Sequence, residues 1–250
     1  MILLEAHHVA RCASPELRAG MGRDMSGTRI HFVEVLESLR QRMLHMGSVA
    51  DSMVEQAVRA LIEQNTQLAE DVIRRDDEVD RLDLEIEMEC MRLIALQQPL
   101  ARDLRLVGSS MKVITDLERI GDHAVDIAKI ARKMARDTFF KPLVDMPHMA
   151  DRVRYMLHNA LTALVNHDIT LVNVVVEADD EVDDLFHKIR EELHAAMGRD
   201  SSLVVQASYL LFVAHYLERI ADHAVNIAER VYYVETGNLA TLAKNRHPAS

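Results

Sequence analysis

The sequence predicts an all-α protein built as a tandem repeat of two three-helix bundles, and three observations carry that expectation. The first is composition: 8 Gly, 5 Pro, no Trp and 14 Met, with a hydrophobic content of 49%. Such a mixture, rich in Ala, Leu, Glu and Arg, favours helix nearly everywhere. The second is periodicity. Phe32, Leu36, Leu39, Met43, Met46, Ala50, Met53, Ala57 and Ala60 alternate steps of four and three, the heptad seam of one long helix. The third is an internal duplication. His45–Asp80 aligns without a gap on His148–Asp183, an offset of 148 − 45 = 103, with 13 of 36 residues identical.

The elements follow in order. Residues 1–27 hold no sustained period and mix Pro15, Gly20, Gly22 and Gly27 with scattered charge, so they are expected to be a disordered extension, with Met25 an alternative start. The first repeat is expected over 28–137. Its first helix starts near Thr28, and a turn at Asn65-Thr66 leads to a second that buries Val72, Val79, Leu82, Ile86 and Leu93. Gln97-Gln98-Pro99 closes that helix, and a third spans about 100–136. Two prolines in Thr138-Phe-Phe-Lys-Pro-Leu-Val-Asp-Met-Pro147 mark a linker over 138–147. The second repeat is expected over 148–237, with Gly198 and Asp200-Ser201-Ser202 capping its last two helices. Residues 238–250 read as a flexible tail.

Charge and cysteine content narrow the function. Net charge is −11, which argues against nucleic acid as the main partner, because phosphate binding needs clustered Lys and Arg. Cys12 and Cys90 lie far apart without a ligand pattern, the usage of a reduced, cytoplasmic compartment. No apolar run approaches the roughly 18–20 residues that span a bilayer. The opening Met-Ile-Leu-Leu-Glu lacks the regions of a signal peptide.

One stretch is spelled twice: Leu117-Glu-Arg-Ile-Gly-Asp-His-Ala-Val-Asp-Ile-Ala128 and Leu217-Glu-Arg-Ile-Ala-Asp-His-Ala-Val-Asn-Ile-Ala228, 217 − 117 = 100 positions apart. Glu118, Asp122 and Asp126 stand at four-residue steps, as do Glu218, Asp222 and Asn226. Each step on a helix drifts by only about 40°, so these groups form a ladder along the edge of the apolar stripe. The middle helices carry a matching pair, Asp76 with Asp80 and Asp179 with Asp183, also at a seam edge. Like charges at i, i+4 destabilise a helix, and partial burial adds to the cost unless a cation compensates. Two acidic edges on neighbouring helices, repeated in both halves, therefore point to cation binding; the competing reading is a solvated face with Arg74, Arg75 and Arg81 as counter-ions. Oxygen ligands suit hard cations such as iron, manganese, magnesium or calcium. Zinc, which carboxylates also bind, stays open beside them. His123 and His223 are expected to face away from the ladder, and Arg119 and Arg219 to brace its carboxylates. Glu191-x-x-His194 occurs once, whereas a di-iron carboxylate bundle needs that motif on two helices. No nucleophile–base arrangement, glycine-rich phosphate loop or stacking platform is found, so the protein is expected not to be an enzyme.

Gln98-Pro-Leu-Ala-Arg-Asp-Leu-Arg105, the two signatures and the duplicated layout resemble the PhoU phosphate-signalling regulators over roughly residues 28–236. The family's Glu/Asp-x-x-x-Asp motifs, which hold metal clusters in relatives, map onto Asp76/Asp80, Glu118/Asp122, Asp179/Asp183 and Glu218/Asp222. The resemblance implies a cytoplasmic, often homodimeric adaptor that links a phosphate ABC transporter, through its ATPase subunit, to a sensor histidine kinase. Its role would be to repress the phosphate-starvation response, meeting the membrane only through its partners. Asn226 departs from the acidic pattern and lowers the charge of the second site. Two other readings remain: an accessory protein of a different phosphate transporter, and a carboxylate-bridged metal oxidoreductase.

Overall fold

The computed structural model describes the backbone of residues 15–242 and the side chains of residues 32–242. The chain divides into two compact units, Met1–Gln41 and Arg42–Ser250. Six α-helices run in order: α1 Pro15–Ile62, α2 Thr66–Gln97, α3 Arg102–Met134, α4 Asp145–Asn166, α5 Ile169–Arg199 and α6 Val204–Thr236. A short 3-10 helix, Ser201–Leu203, precedes α6, and no strand occurs among the described residues. This is the all-α tandem repeat that the sequence predicts.

The helix α1 begins well before Thr28, which corrects the expected disorder of residues 1–27 for the part from Pro15 onward; residues 1–14 lie outside the described residues. The physical reason lies in Pro15, which suits the first helical position, and in the helix formers that follow it. Gly20 and Gly22 each cost only about 1 kcal/mol relative to Ala, too little to stop a long helix. Within the unit Met1–Gln41, Arg40 and Gln41 both donate to Glu37, at 3.1 and 2.9 Å.

The unit Arg42–Ser250 holds everything that positions the site. Met43, Met46, Ala50, Met53, Ala57 and Ala60, the seam of α1, are all buried. Its turn into α2 places Gln64 at φ +52°, and the Asn65 side chain accepts from Leu68 N at 3.1 Å. The equivalent turn in the second half repeats the device, with His167 at φ +56° and Asp168 accepting from Thr170 N at 2.8 Å. Gln98 (φ +46°) and Ala101 (φ +48°) bend the chain around Pro99 between α2 and α3. In the shorter α5–α6 connection, Asp200 accepts from Ser202 N at 2.9 Å, while Gly198 lies within α5 and is not its cap. The irregular segment between the halves is residues 135–144, not 138–147, because α4 starts at Asp145 and takes Pro147 into its first turn. Gln206 pins it, accepting from Phe140 N at 3.0 Å and donating to Thr138 O at 3.1 Å. The expected tail beyond 237 is described only to residue 242, where Leu242 N donates to Glu229 at 2.8 Å.

An approximate two-fold relation orders the two halves. In each, the middle helix packs on the last, α2 on α3 and α5 on α6, and α3 and α6 pack on each other. Equivalent residues meet each other only near such an axis, and two pairs do. Arg154 donates to both oxygens of Asp51, at 3.0 and 2.9 Å, and 154 − 51 is the repeat offset of 103. His123 and His223, at the signature offset of 100, bring their rings to 5.7 Å. Close approach of α1 and α4 depends on Gly47, where an added Cβ would lie 2.5 Å from Leu161 Cδ1.

Candidate metal centre

Both middle helices turn their paired aspartates toward the first two rungs of the neighbouring ladder. In the first half, Gly121 lets α3 approach α2 closely: a Cβ there would stand 3.4 Å from Val79 Cγ1 and 3.7 Å from Asp76 Oδ1. Burial, then the charges of Asp80 and Asp122, push the Asp76 carboxyl up from its ordinary value. Glu118 is raised by burial and by Asp122, with smaller contributions from Asp83 and Asp80. In the second half the effect is larger. Asp179 is pushed up to about 7 by burial and by Asp183, Asp222, Asp180 and Glu218. Asp183 is raised by burial and then by Glu218. The structure therefore brings together Asp76, Asp80, Glu118 and Asp122 in one half and Asp179, Asp183, Glu218 and Asp222 in the other.

The counter-ions that would make these edges an ordinary solvated face are engaged elsewhere. Arg74 pairs with Asp71, Arg75 with Glu78 at 3.5 Å, and Arg81 with Glu85 at 3.8 Å. Only the signature arginines brace the ladder: Arg119 reaches Glu118 at 3.3 Å and Asp122 at 2.9 Å, and Arg219 reaches Asp222 at 3.1 Å. Glu218 Oε2 is buried 3.1 Å from His215 Nδ1 without hydrogen-bond geometry. The donor set fits a hard cation by its chemistry, since carboxylate oxygens that repel one another are stabilised by shared positive charge. Among the described residues, no three His, Cys, Asp or Glu side chains form a ready-made coordination group, so binding requires these carboxylates to close in.

The third rungs go elsewhere. Asp126 pairs with Lys129 at 3.1 Å, and the Asn226 amide donates to Asp116 at 3.0 Å, across the α3–α6 seam. Asp116 also holds His223 Nδ1 at 2.9 Å. His123 stacks on Tyr216 at 5.6 Å, and burial with the neighbouring His223 lowers it to about 4. These histidines thus line the joint between the halves instead of the surface expected for them. Sequence reasoning also missed Asp83, raised by burial, Glu87 and Asp80, although its place three residues after Asp80 continues the acidic edge.

A duplicated three-helix bundle with an acidic edge in each half defines the class of protein. The PhoU domain family matches residues 43–131 and 146–231, and the chain belongs to this family. It is 39% identical over 216 residues to a protein of Clostridium acetobutylicum named as a phosphate-specific transport system accessory protein PhoU homolog, covering 86% of this chain and 99% of that one. A homologue of the same name from Aquifex aeolicus is 38% identical, covering 85% and 95%. The crystal structure of PhoU from Pseudomonas aeruginosa superposes with a TM-score of 0.80 at 35% identity, covering 83% of this chain and all of that one.

Proposed function

We propose that this protein is a cytoplasmic accessory regulator of phosphate transport that works by docking to partners, not by turnover. Family membership and relatives named as phosphate-specific transport system accessory proteins support the phosphate-transport role. The partners are a phosphate ABC transporter ATPase subunit and a sensor histidine kinase, and the output is repression of the phosphate-starvation response. Each half carries a cation site, Asp76, Asp80, Glu118 and Asp122 in one and Asp179, Asp183, Glu218 and Asp222 in the other. The observation that carries the cation part is the carboxyl of Asp179, which burial and like charges hold near 7. Such a group gains most from a bound cation. Iron, manganese, magnesium, calcium and zinc are the candidates. Among the described residues no helix is long and apolar enough to cross a membrane, which agrees with attachment through partners. Deletion of the gene tests the reading: starvation genes are expected to stay on in ample phosphate, and normal repression in a strain without a paralogue contradicts it.

A further inference from the structure

The two halves differ in one respect that the fold itself does not require. On α2, Leu84, Met88 and Met91 are 58%, 62% and 56% exposed. Their spacing of four and three puts them on one stripe. The register across the repeat is fixed by buried pairs at the offset of 103, Ile86 with Ile189 and Cys90 with Leu193. By that register the equivalents of the stripe on α5 are His187, Glu191 and His194. The same bundle position thus serves with polar side chains, so packing does not explain the apolar ones.

Helix geometry also gives the stripe an acidic border. Taking Met88 as zero, Asp80 and Glu87 fall about 80–100° to one side, while Glu85 and Glu89 fall about 60–100° to the other. Arg81 and Arg92 are the basic residues nearest the stripe, and both are drawn to the border, Arg81 to Glu85 at 3.8 Å and Arg92 to Glu89 at 3.2 Å. Four acids against two arginines leave the border negative, on a chain whose net charge is −11. Exposed methionines flanked by acids suit a ligand that is apolar along one face and basic along its edges, because the thioether side chain adapts its shape.

We propose that this stripe on α2 is a docking surface for a basic amphipathic helix of a partner protein, with its apolar face on Leu84, Met88 and Met91 and its Lys or Arg residues on the acidic border. The proposal rests on the reading of the protein as a docking regulator and gives that role a surface, confined to one half. Charge complementarity between the border and a basic helix gives fast, salt-sensitive association.

The test titrates the full chain with a fluorescent amphipathic Lys/Leu helix, with a Glu/Leu helix of the same pattern as control. The wild-type protein is expected to bind the basic helix and not the acidic one. The Met88→Glu/Met91→Glu variant, with unchanged circular dichroism, is expected to bind at least about tenfold more weakly, since two buried apolar contacts are lost. Glu87→Lys, which leaves the stripe intact, is expected to weaken binding and reduce its salt dependence. Equal binding by the double variant overturns the proposal. So does a stripe-dependent dimer seen by sedimentation, which would make the occupant a second copy, or stripe-dependent binding to anionic vesicles. If peptide binding is independent of the stripe while gene deletion still derepresses starvation genes, the surface is wrong and the regulator reading stands. If binding depends on the stripe while the deletion strain represses normally, the surface stands and the regulator reading is wrong.

Discussion

At the scale of single residues, Asp179 gives the sharpest consequence. Its folded carboxyl sits near 7, well above the ordinary aspartate value of 3.8, so the folded state holds the proton more tightly than the unfolded one. The stability it contributes is therefore present below the ordinary value and is lost as pH rises through about 7. His123, lowered to about 4, works in the opposite sense, losing stability as pH falls below its ordinary value of 6.5. The difference between wild type and Asp179→Asn removes the histidine contribution. In chelator-treated protein the variant is expected to be the more stable at pH 8, by about 1–2 kcal/mol after screening, with the gap closing toward pH 4. Denaturant unfolding at several pH values checks this; a gap that does not vary with pH contradicts it. The same scale shows what is legible in the sequence. Four-residue steps identify Glu218 and Asp222 as one edge, but drift places Asn226 about 80° round from Glu218. That rotation carries it off the α5 side to Asp116 on α3, a partner that only the packing of the halves reveals. Asp126 drifts by the same amount from Glu118.

At the scale of elements, the glycines separate two roles. Gly108 faces open space in α3, and nothing lies within 4 Å of an added Cβ. Gly108→Ala is expected to stabilise the protein by up to about 1 kcal/mol, the helix-propensity difference, read as a rise in melting temperature. Gly47 is the opposite case, with Leu161 in the way. Gly47→Val is expected to destabilise by about 1–3 kcal/mol through overpacking of α1 on α4. The lengths and order of the helices after Asn65 are readable because caps and prolines stand at their ends. The start of α1 is not, since its glycines look like breaks where the surrounding helix formers outweigh them. Nor can local pattern show that the basic residues beside Asp76 turn to Asp71, Glu78 and Glu85, because rotamer choice is settled between helices.

At the scale of the whole molecule, the halves share their core. Ile120, Ala124, Ile127 and Ala128 of α3 and Ile220, Ala224, Ile227 and Ala228 of α6 are all buried, and α3 packs on α6. Residues 148–237 alone would expose the α6 face that α3 covers, so this half is expected not to fold as a stable monomer. A cooperative thermal transition for that fragment, with helical circular dichroism, would contradict the shared core. The duplication is legible from the repeated Asp76-Asp-Glu-Val-Asp80 and the two signatures, but the residues on the axis are not, because an alignment does not say which equivalents touch. The central claim is that each half owns a cation site formed by two helices. It is tested most directly by measuring divalent-cation content by mass spectrometry in wild type and in two variants, Glu118→Gln/Asp122→Asn and Asp179→Asn/Asp183→Asn. Each variant is expected to stay folded and to lose the cation of its own half only; wild-type content in both variants would contradict the two-helix sites.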